Sequence, residues 1–310
     1  MLYSKKAPNA DVESAINALV QTGRFSAGSL RTFRQVYNAF QKFLNGQGSV
    51  GLNQATKENC HLYLLSRRGD LSQKSISVHR QALQALLAVQ GKISFEERLE
   101  SVASEIKNKK TKGGMDYRPV QIQALVEHQT EANALATKLA FACGLRASEV
   151  LTIAKPEDRP IDPNSETTPF LWEGLPEGEA YTVIGLKGKV REIRVPIDLA
   201  QELEKRRLAT QRTVLDRKVP VLTYYDIAGG ASWSASFSRM SKILFGWSLG
   251  TKGIRQTYAV KRVEELRRLG IEEFAIFRTV WLEMGEFDLS YVFSNYRRKR
   301  KAIRNWEKEV

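Results

Sequence analysis

Apolar residues return at steps of three and four along the first ninety positions, the spacing that places them on one face of an α-helix. Val12, Ala15, Ile16 and Leu19 predict a helix over 11–22, stopped by Gly23. Leu30, Phe33, Tyr37, Phe40 and Leu44 predict a longer one, with Ser29 as its cap and Gly46 and Gly48 at its close. Its off-stripe positions carry Arg31, Arg34 and Lys42. A third helix is expected over 56–66 and a fourth over 75–89, where Ile76, Leu83, Leu86 and Leu87 turn inward and leave Lys74 and Arg80 outside.

The periodicity then lapses. Residues 107–117, Lys-Asn-Lys-Lys-Thr-Lys-Gly-Gly-Met-Asp-Tyr, read as a linker. Arg118-Pro119-Val120 opens a new helix carrying Ile122, Leu125 and Val126, and an apolar run follows over 136–142. Residues 156–176, rich in Pro, Asp and Asn, predict a long loop. Two β-rich runs, 181–184 and 192–196, flank Gly185-Leu186-Lys187-Gly188-Lys189, so a hairpin presents lysines at its tip. Helical sequence returns over 255–269 and 271–283, and Ile303, Trp306 and Val310 give a short terminal helix one apolar face. So brief a helix is unstable alone in water and must dock on something. The pattern as a whole predicts a mainly α protein with a small β-hairpin, an α+β chain.

Length and charge then divide the chain. With 310 residues it exceeds what one hydrophobic core usually serves. We expect a helical domain over 1–107, a basic linker over 108–117 and a second domain over 118–310. The net charge of +14 calls for a polyanionic partner, nucleic acid or an anionic membrane. No apolar run approaches the ~20 residues that cross a bilayer, and Met1-Leu2-Tyr3-Ser4-Lys5-Lys6 leads into polar sequence, so nucleic acid is favoured and no membrane is expected. Residues 1–110 hold 16 Lys or Arg against 8 Asp or Glu, more than half of the excess. Arg31, Arg34, Lys42, Lys74 and Arg80, with Lys107, Lys109 and Lys110 of the linker, are the candidate contacts to a phosphate backbone. The two cysteines, Cys60 and Cys143, lie too far apart in sequence for a zinc pattern or a disulfide framework, which fits a reducing, cytoplasmic setting.

Gly144-Leu145-Arg146-Ala147-Ser148-Glu149 interrupts the second domain's first long apolar run. An Arg at a bend, with a carboxylate one turn later to orient it, is how a phosphate clamp is built. These six residues resemble the first active-site box of the tyrosine recombinase and integrase family, and further boxes follow in family order. Lys252-Gly253-Ile254-Arg255-Gln256-Thr257-Tyr258-Ala259 is similar to the family's His-x-x-Arg-His-Thr-Phe-Ala, with Lys in place of the first His. Glu286 stands where the family has His or Trp, and Tyr296 follows ten residues later. The integrases of archaeal spindle-shaped viruses carry the same pair of replacements. All three histidines, His61, His79 and His128, precede the first box.

The resemblance implies a helical core-binding domain and a mixed catalytic domain that clamp double-stranded DNA. Arg146 and Arg255 would hold the scissile phosphate, with Glu149 supporting Arg146. Lys187, or Lys189 as runner-up, would be the hairpin lysine that protonates the leaving 5′ oxygen. Tyr296, with Tyr291 as rival, would be the nucleophile of a 3′-phosphotyrosyl link, a bond that makes ATP and metal unnecessary. Lys252 would take over the missing histidine's duty, and Glu286 would orient Lys252 or pack against Tyr296. Arg297 and Arg298 would meet the DNA backbone. The family also implies a monomer that becomes a tetramer on DNA, with the helix over 302–310 docking on a neighbour or back on its own domain. Three functions are open on the sequence: an active integrase or resolvase, a catalytically inactive DNA-binding relative, and a telomere resolvase.

Overall fold

The computed structural model describes residues 9–48, 51–106, 116–217 and 219–285, with the side chain of Lys187 excepted. The chain divides into two compact units, Met1–Thr111 and Lys112–Val310.

The first unit is helical, with α1 over Ala10–Gln21, α2 over Ala27–Gly46, α3 over Lys57–Ser66 and α4 over Gln73–Val89. The apolar stripes read from the sequence all turn inward, and Leu19, Tyr37, Phe40, Leu44, Leu83 and Leu86 are fully buried in one core. The helix starts shift by a few residues because side-chain caps decide them. Ser26, not Ser29, caps α2, since Ser26 has extended backbone and its Oγ accepts from the Ser29 N–H at 3.2 Å. Ser72 likewise starts α4 two residues ahead of the expected position. Thr56 and Asn59 form a reciprocal capping pair at α3.

The second unit opens with α5 over Pro119–Glu127 and α6 over Glu131–Cys143, then the four-residue α7 over Ala147–Val150. Pro119 at the first position of α5 lacks the N–H that a helix start leaves unpaired. Residues 156–176 contain no helix or strand, as expected of that loop. The expected hairpin forms between β1, Gly178–Ile184, and β2, Val190–Pro196, in register Val183 to Arg191. An isolated bridge from Ala154 to Thr182 extends β1 on its other side. After α8, Ile197–Glu204, comes a second hairpin of β3, Arg207–Asp216, and β4, Val219–Tyr225. This hairpin has no counterpart among the sequence expectations, because β3 lacks the buried alternation that marks a strand. Three helices follow: α9 over Gly230–Phe245, α10 over Gly250–Arg268 and α11 over Glu273–Met284.

One assignment needs correction. Tyr117, placed by the sequence in the linker, is a core residue of this unit at 1% exposure. Its N–H donates to Thr257 Oγ1 at 2.9 Å, and its hydroxyl accepts from the Leu249 N–H at 2.9 Å. A polar, glycine-bearing neighbourhood hid an aromatic anchor whose partners lie more than a hundred residues away.

Candidate active site

The site begins where α6 stops. Gly144 ends that helix at φ +63°, and a Cβ there would lie 2.6 Å from Tyr258 Cδ1, so both the backbone conformation and the space require glycine. The bend leaves Arg146 at the N-cap position of α7 and Glu149 three residues on. The Arg146 N–H donates to Glu149 Oε2 at 2.7 Å, and its Nη1 donates to Oε1, also at 2.7 Å. Glu149 is the carboxylate the sequence expected to steady Arg146, and it is fully buried.

Arg255, in the second turn of α10 and 5% exposed, reaches the same carboxylate, with Nη1 3.2 Å from Oε2. It also donates to the Gly144 carbonyl at 2.7 Å. The two arginines singled out by motif are thus brought together on Glu149. A third was missed: Arg191 on β2 places Nη2 3.0 Å from Glu149 Oε2. Its only sequence signal is a charged residue just past the expected lysine turn, a place where solvated arginines are common.

The same three guanidiniums cap α11. Arg191 donates to the carbonyl of Glu283 at 2.6 Å, Arg255 to that of Met284 at 3.0 Å and Arg146 to that of Gly285 at 3.3 Å. The last carbonyls of a helix have no partner within it and carry its negative dipole end, so cations belong there. Gly285, at φ +59°, is tight for the same reason: a Cβ would lie 2.6 Å from Arg191 Cδ and Nε.

Burial by itself would raise the Glu149 carboxyl. The charges of Arg191, Arg255 and Arg146, with the Arg146 N–H, overcome burial and hold it down at about 2. Glu149 is therefore an anion at any physiological pH, and its three partners are held in fixed positions. A second buried carboxylate, Glu283, supports α11 from behind. It takes Arg262 through Nε at 2.9 Å and Nη2 at 2.8 Å, and accepts from the Tyr258 hydroxyl at 2.9 Å.

The remaining expected residues fall into three groups. Lys187 occupies the 3₁₀ turn, Leu186–Gly188, at the hairpin tip, closed by the Gly185 N–H donating to the Lys189 carbonyl at 2.7 Å. A Cβ on Gly185 would lie 3.5 Å from Glu149 Oε1, so the backbone of that tip runs beside the arginine cluster. Lys189 is exposed, as is Lys252 in the first turn of α10. Glu286, Tyr291, Tyr296, Arg297, Arg298, the helix expected over 302–310, and the linker residues Lys107, Lys109 and Lys110 lie outside the described residues. In the first unit Arg31, Lys42 and Lys74 are exposed. Arg34 and Arg80 are half-buried and have partners within the unit: Arg34 forms a two-pronged pair with Glu13 at 2.8 and 2.9 Å, and Arg80 donates to the Leu99 carbonyl at 3.0 Å.

Among the described residues no group of three or more His, Cys, Asp or Glu side chains is placed to hold a metal ion. No helix among them is long and apolar enough to cross a membrane.

Residues 15–90 match the family model of the phage integrase N-terminal SAM-like domain. The chain is similar to the solved structure of a lambda integrase dimer bound to a COC′ core site, with a TM-score of 0.56, 15% identity, and coverage of 92% of this chain and 94% of that one. The chain has the tyrosine recombinase fold. The lambda integrase tetramer bound to a Holliday junction gives a TM-score of 0.51 at 13% identity, covering 91% of this chain and 76% of that one. The XerH site-specific recombinase bound to its difH substrate before cleavage gives 0.50 at 13%, covering 98% and 92%. No curated protein matches by sequence. The two-part architecture expected from the resemblance, a helical unit ahead of a mixed α and β unit, is therefore the architecture of this fold.

Proposed function

We propose that this protein is a site-specific DNA recombinase, an integrase or resolvase that cuts and rejoins DNA through a 3′-phosphotyrosyl intermediate. The observation that carries the proposal is the meeting of Arg146 and Arg255 on the buried carboxylate of Glu149, beside the backbone of the lysine-bearing hairpin tip. A phosphodiester is already anionic, and attack on it builds more charge on its non-bridging oxygens, so the site needs permanent cations held in place before reaction. Guanidinium supplies that charge at every working pH and a forked set of donors that an ammonium cannot reproduce.

In this reading Tyr296 gives its phenolic proton to a neutral Lys252 amine acting as base, its oxygen attacks the phosphorus and the bond to the 5′ oxygen breaks. Lys187 supplies the proton that turns that oxygen into a leaving hydroxyl. Lys252 serves in place of the family's histidine, and Glu286 orients it. Arg31, Lys42, Lys74 and the linker lysines meet the DNA backbone, and four protomers assemble on DNA. The protein reads the backbone through charge, so its DNA binding weakens steeply with salt.

The test is a trap. The protein is incubated with a randomised pool of duplexes carrying a nick near the expected cleavage position, so that the short cut strand diffuses away and the covalent adduct accumulates. A denaturant-stable protein–DNA adduct, lost in Tyr296→Phe while DNA affinity stays within about threefold, is the expected result. Loss in Tyr291→Phe instead would move the nucleophile five residues back. Binding without any adduct would leave the inactive, DNA-binding reading that the replacement of both family histidines makes the natural second choice.

A further inference from the structure

Arg191 belongs to none of the motifs that the site's resemblance supplied, yet it sits where their residues meet. Its Nη2 shares Glu149 Oε2 with Arg255, at 3.0 and 3.2 Å, and its Nη1 lies 2.6 Å from the Glu283 carbonyl. The side chain is 11% exposed, and its Nε–H is buried with no acceptor among the described residues. It borders a cavity of about 390 Å³ between the hairpin tip, the loop at Asp162–Glu166 and the end of α11. One side chain therefore ties together the strand that follows Lys187, the helix that carries Glu149 and the helix that leads toward Tyr296.

Stability accounts for part of this arrangement, through the Glu149 pair and the Glu283 carbonyl. Glu149 already has two guanidinium partners, and the third is mostly buried with its Nε–H unmet among the described residues, which carries a desolvation cost. Charge counting gives it a purpose. Arg146 and Arg255 with Glu149 leave one net positive charge, which matches the single negative charge of a phosphodiester. Among the arginines, and apart from the proposed Lys187 and Lys252, Arg191 raises the cluster to two, which adds charge where attack builds a doubly negative pentacoordinate phosphorane. A charge that serves the transition state more than the ground state accelerates the chemical step without tightening substrate binding.

We propose that Arg191 is a third cation of the phosphate site, a positioning residue that pins the Lys187 hairpin to Glu149 and α11 and adds the charge that the phosphorane needs. This rests on the recombinase reading above. Its geometry also explains the tight glycine at 285, since the space a side chain there would fill is occupied by Arg191.

The test uses the full-length chain with Arg191→Met and Arg191→Lys, on a nicked duplex recovered from the trapped pool. The expected result for Arg191→Met is adduct formation slowed about a hundredfold, with DNA affinity within about threefold. Arg191→Lys keeps the charge but not the fork, and should recover only part of the rate. The same duplex with a methylphosphonate at the scissile position loses one negative charge, and on it the gap between Arg191→Met and wild type should shrink to less than about tenfold. Equal slowing on both substrates, or a wild-type rate in Arg191→Met, overturns the proposal. If the wild-type protein forms no adduct, the recombinase reading itself fails. The phosphate site is then judged by inorganic phosphate, compared with chloride at equal ionic strength in thermal unfolding. Phosphate should stabilise wild type at least twice as much as Arg191→Met, and equal stabilisation of the two overturns the proposal.

Discussion

Removing the charge of Glu149 while keeping its shape is the sharpest test of the site's physical basis. Glu149→Gln leaves three guanidiniums, at 2.7, 3.0 and 3.2 Å in the wild type, around a neutral amide in a fully buried place. One acceptor oxygen becomes an NH₂ that faces other donors. Breaking a buried ion pair from one side costs about 3–5 kcal/mol. The carboxyl's displacement gives an independent figure: a fall from 4.5 to about 2 corresponds to roughly 3 kcal/mol of preference for the charged form in the folded protein. Both routes lead to a loss of about 3–4 kcal/mol, or roughly 10 °C in unfolding midpoint for a unit of this size.

The assay can be confined to that unit. All five tryptophans lie beyond residue 111, at 172, 233, 247, 281 and 306, so their fluorescence in urea follows the second unit alone. The pH dependence carries the sign. A carboxyl lowered by folding contributes stability that is fully present above its ordinary value of 4.5 and lost as pH falls toward about 2. The gap between wild type and Glu149→Gln should therefore be constant near neutrality and close over that acid window. A gap under about 0.5 kcal/mol at pH 7, or one that persists unchanged into acid, would refute the account of the cluster as a carboxylate-centred unit.

Three further outcomes follow from the same structure and the proposed chemistry. Glu283→Gln should cost about 3–5 kcal/mol by the same fluorescence measurement, and adding Arg262→Met should cost less than the sum of the two single changes, because the pair is buried together. Removing either Lys252 or Glu286 should slow adduct formation, with the double change costing less than the sum; additive losses would separate the two residues. Deleting residues 302–310 should leave single-protomer DNA binding intact and abolish higher-order complexes and strand exchange in electrophoretic assays, whereas normal assembly of the truncated protein would mean that this segment serves its own domain.

Local periodicity was enough for the helices, because each presents one continuous apolar face and any core that covers it will do. Leu19, Tyr37, Phe40 and Leu44 could be placed inside before any tertiary contact was known. The β1–β2 hairpin was equally legible, since its strands are β-rich on both sides of a glycine-bearing turn. The order Arg146, Lys187, Arg255 was readable because short-range constraints accompany each motif, above all the left-handed turn that only Gly144 satisfies without strain. Spatial convergence was not readable. Nothing in residues 190–196 distinguishes Arg191, which is drawn in, from a solvated strand arginine, because the distinction lies in a carboxylate 42 positions away and the open carbonyls of α11. Tyr117 falls in the stretch that reads as linker, and neither the partners of Arg34 and Arg80 nor the ion pair of Glu283 leaves a mark in the sequence, for one shared reason. A polar side chain's role depends on which partners the fold brings within about 3 Å, and that is a property of the packed chain. The sequence by itself determined the elements and the chemistry available to them; the tertiary structure decided which charges would be neutralised, which buried, and which held ready around Glu149.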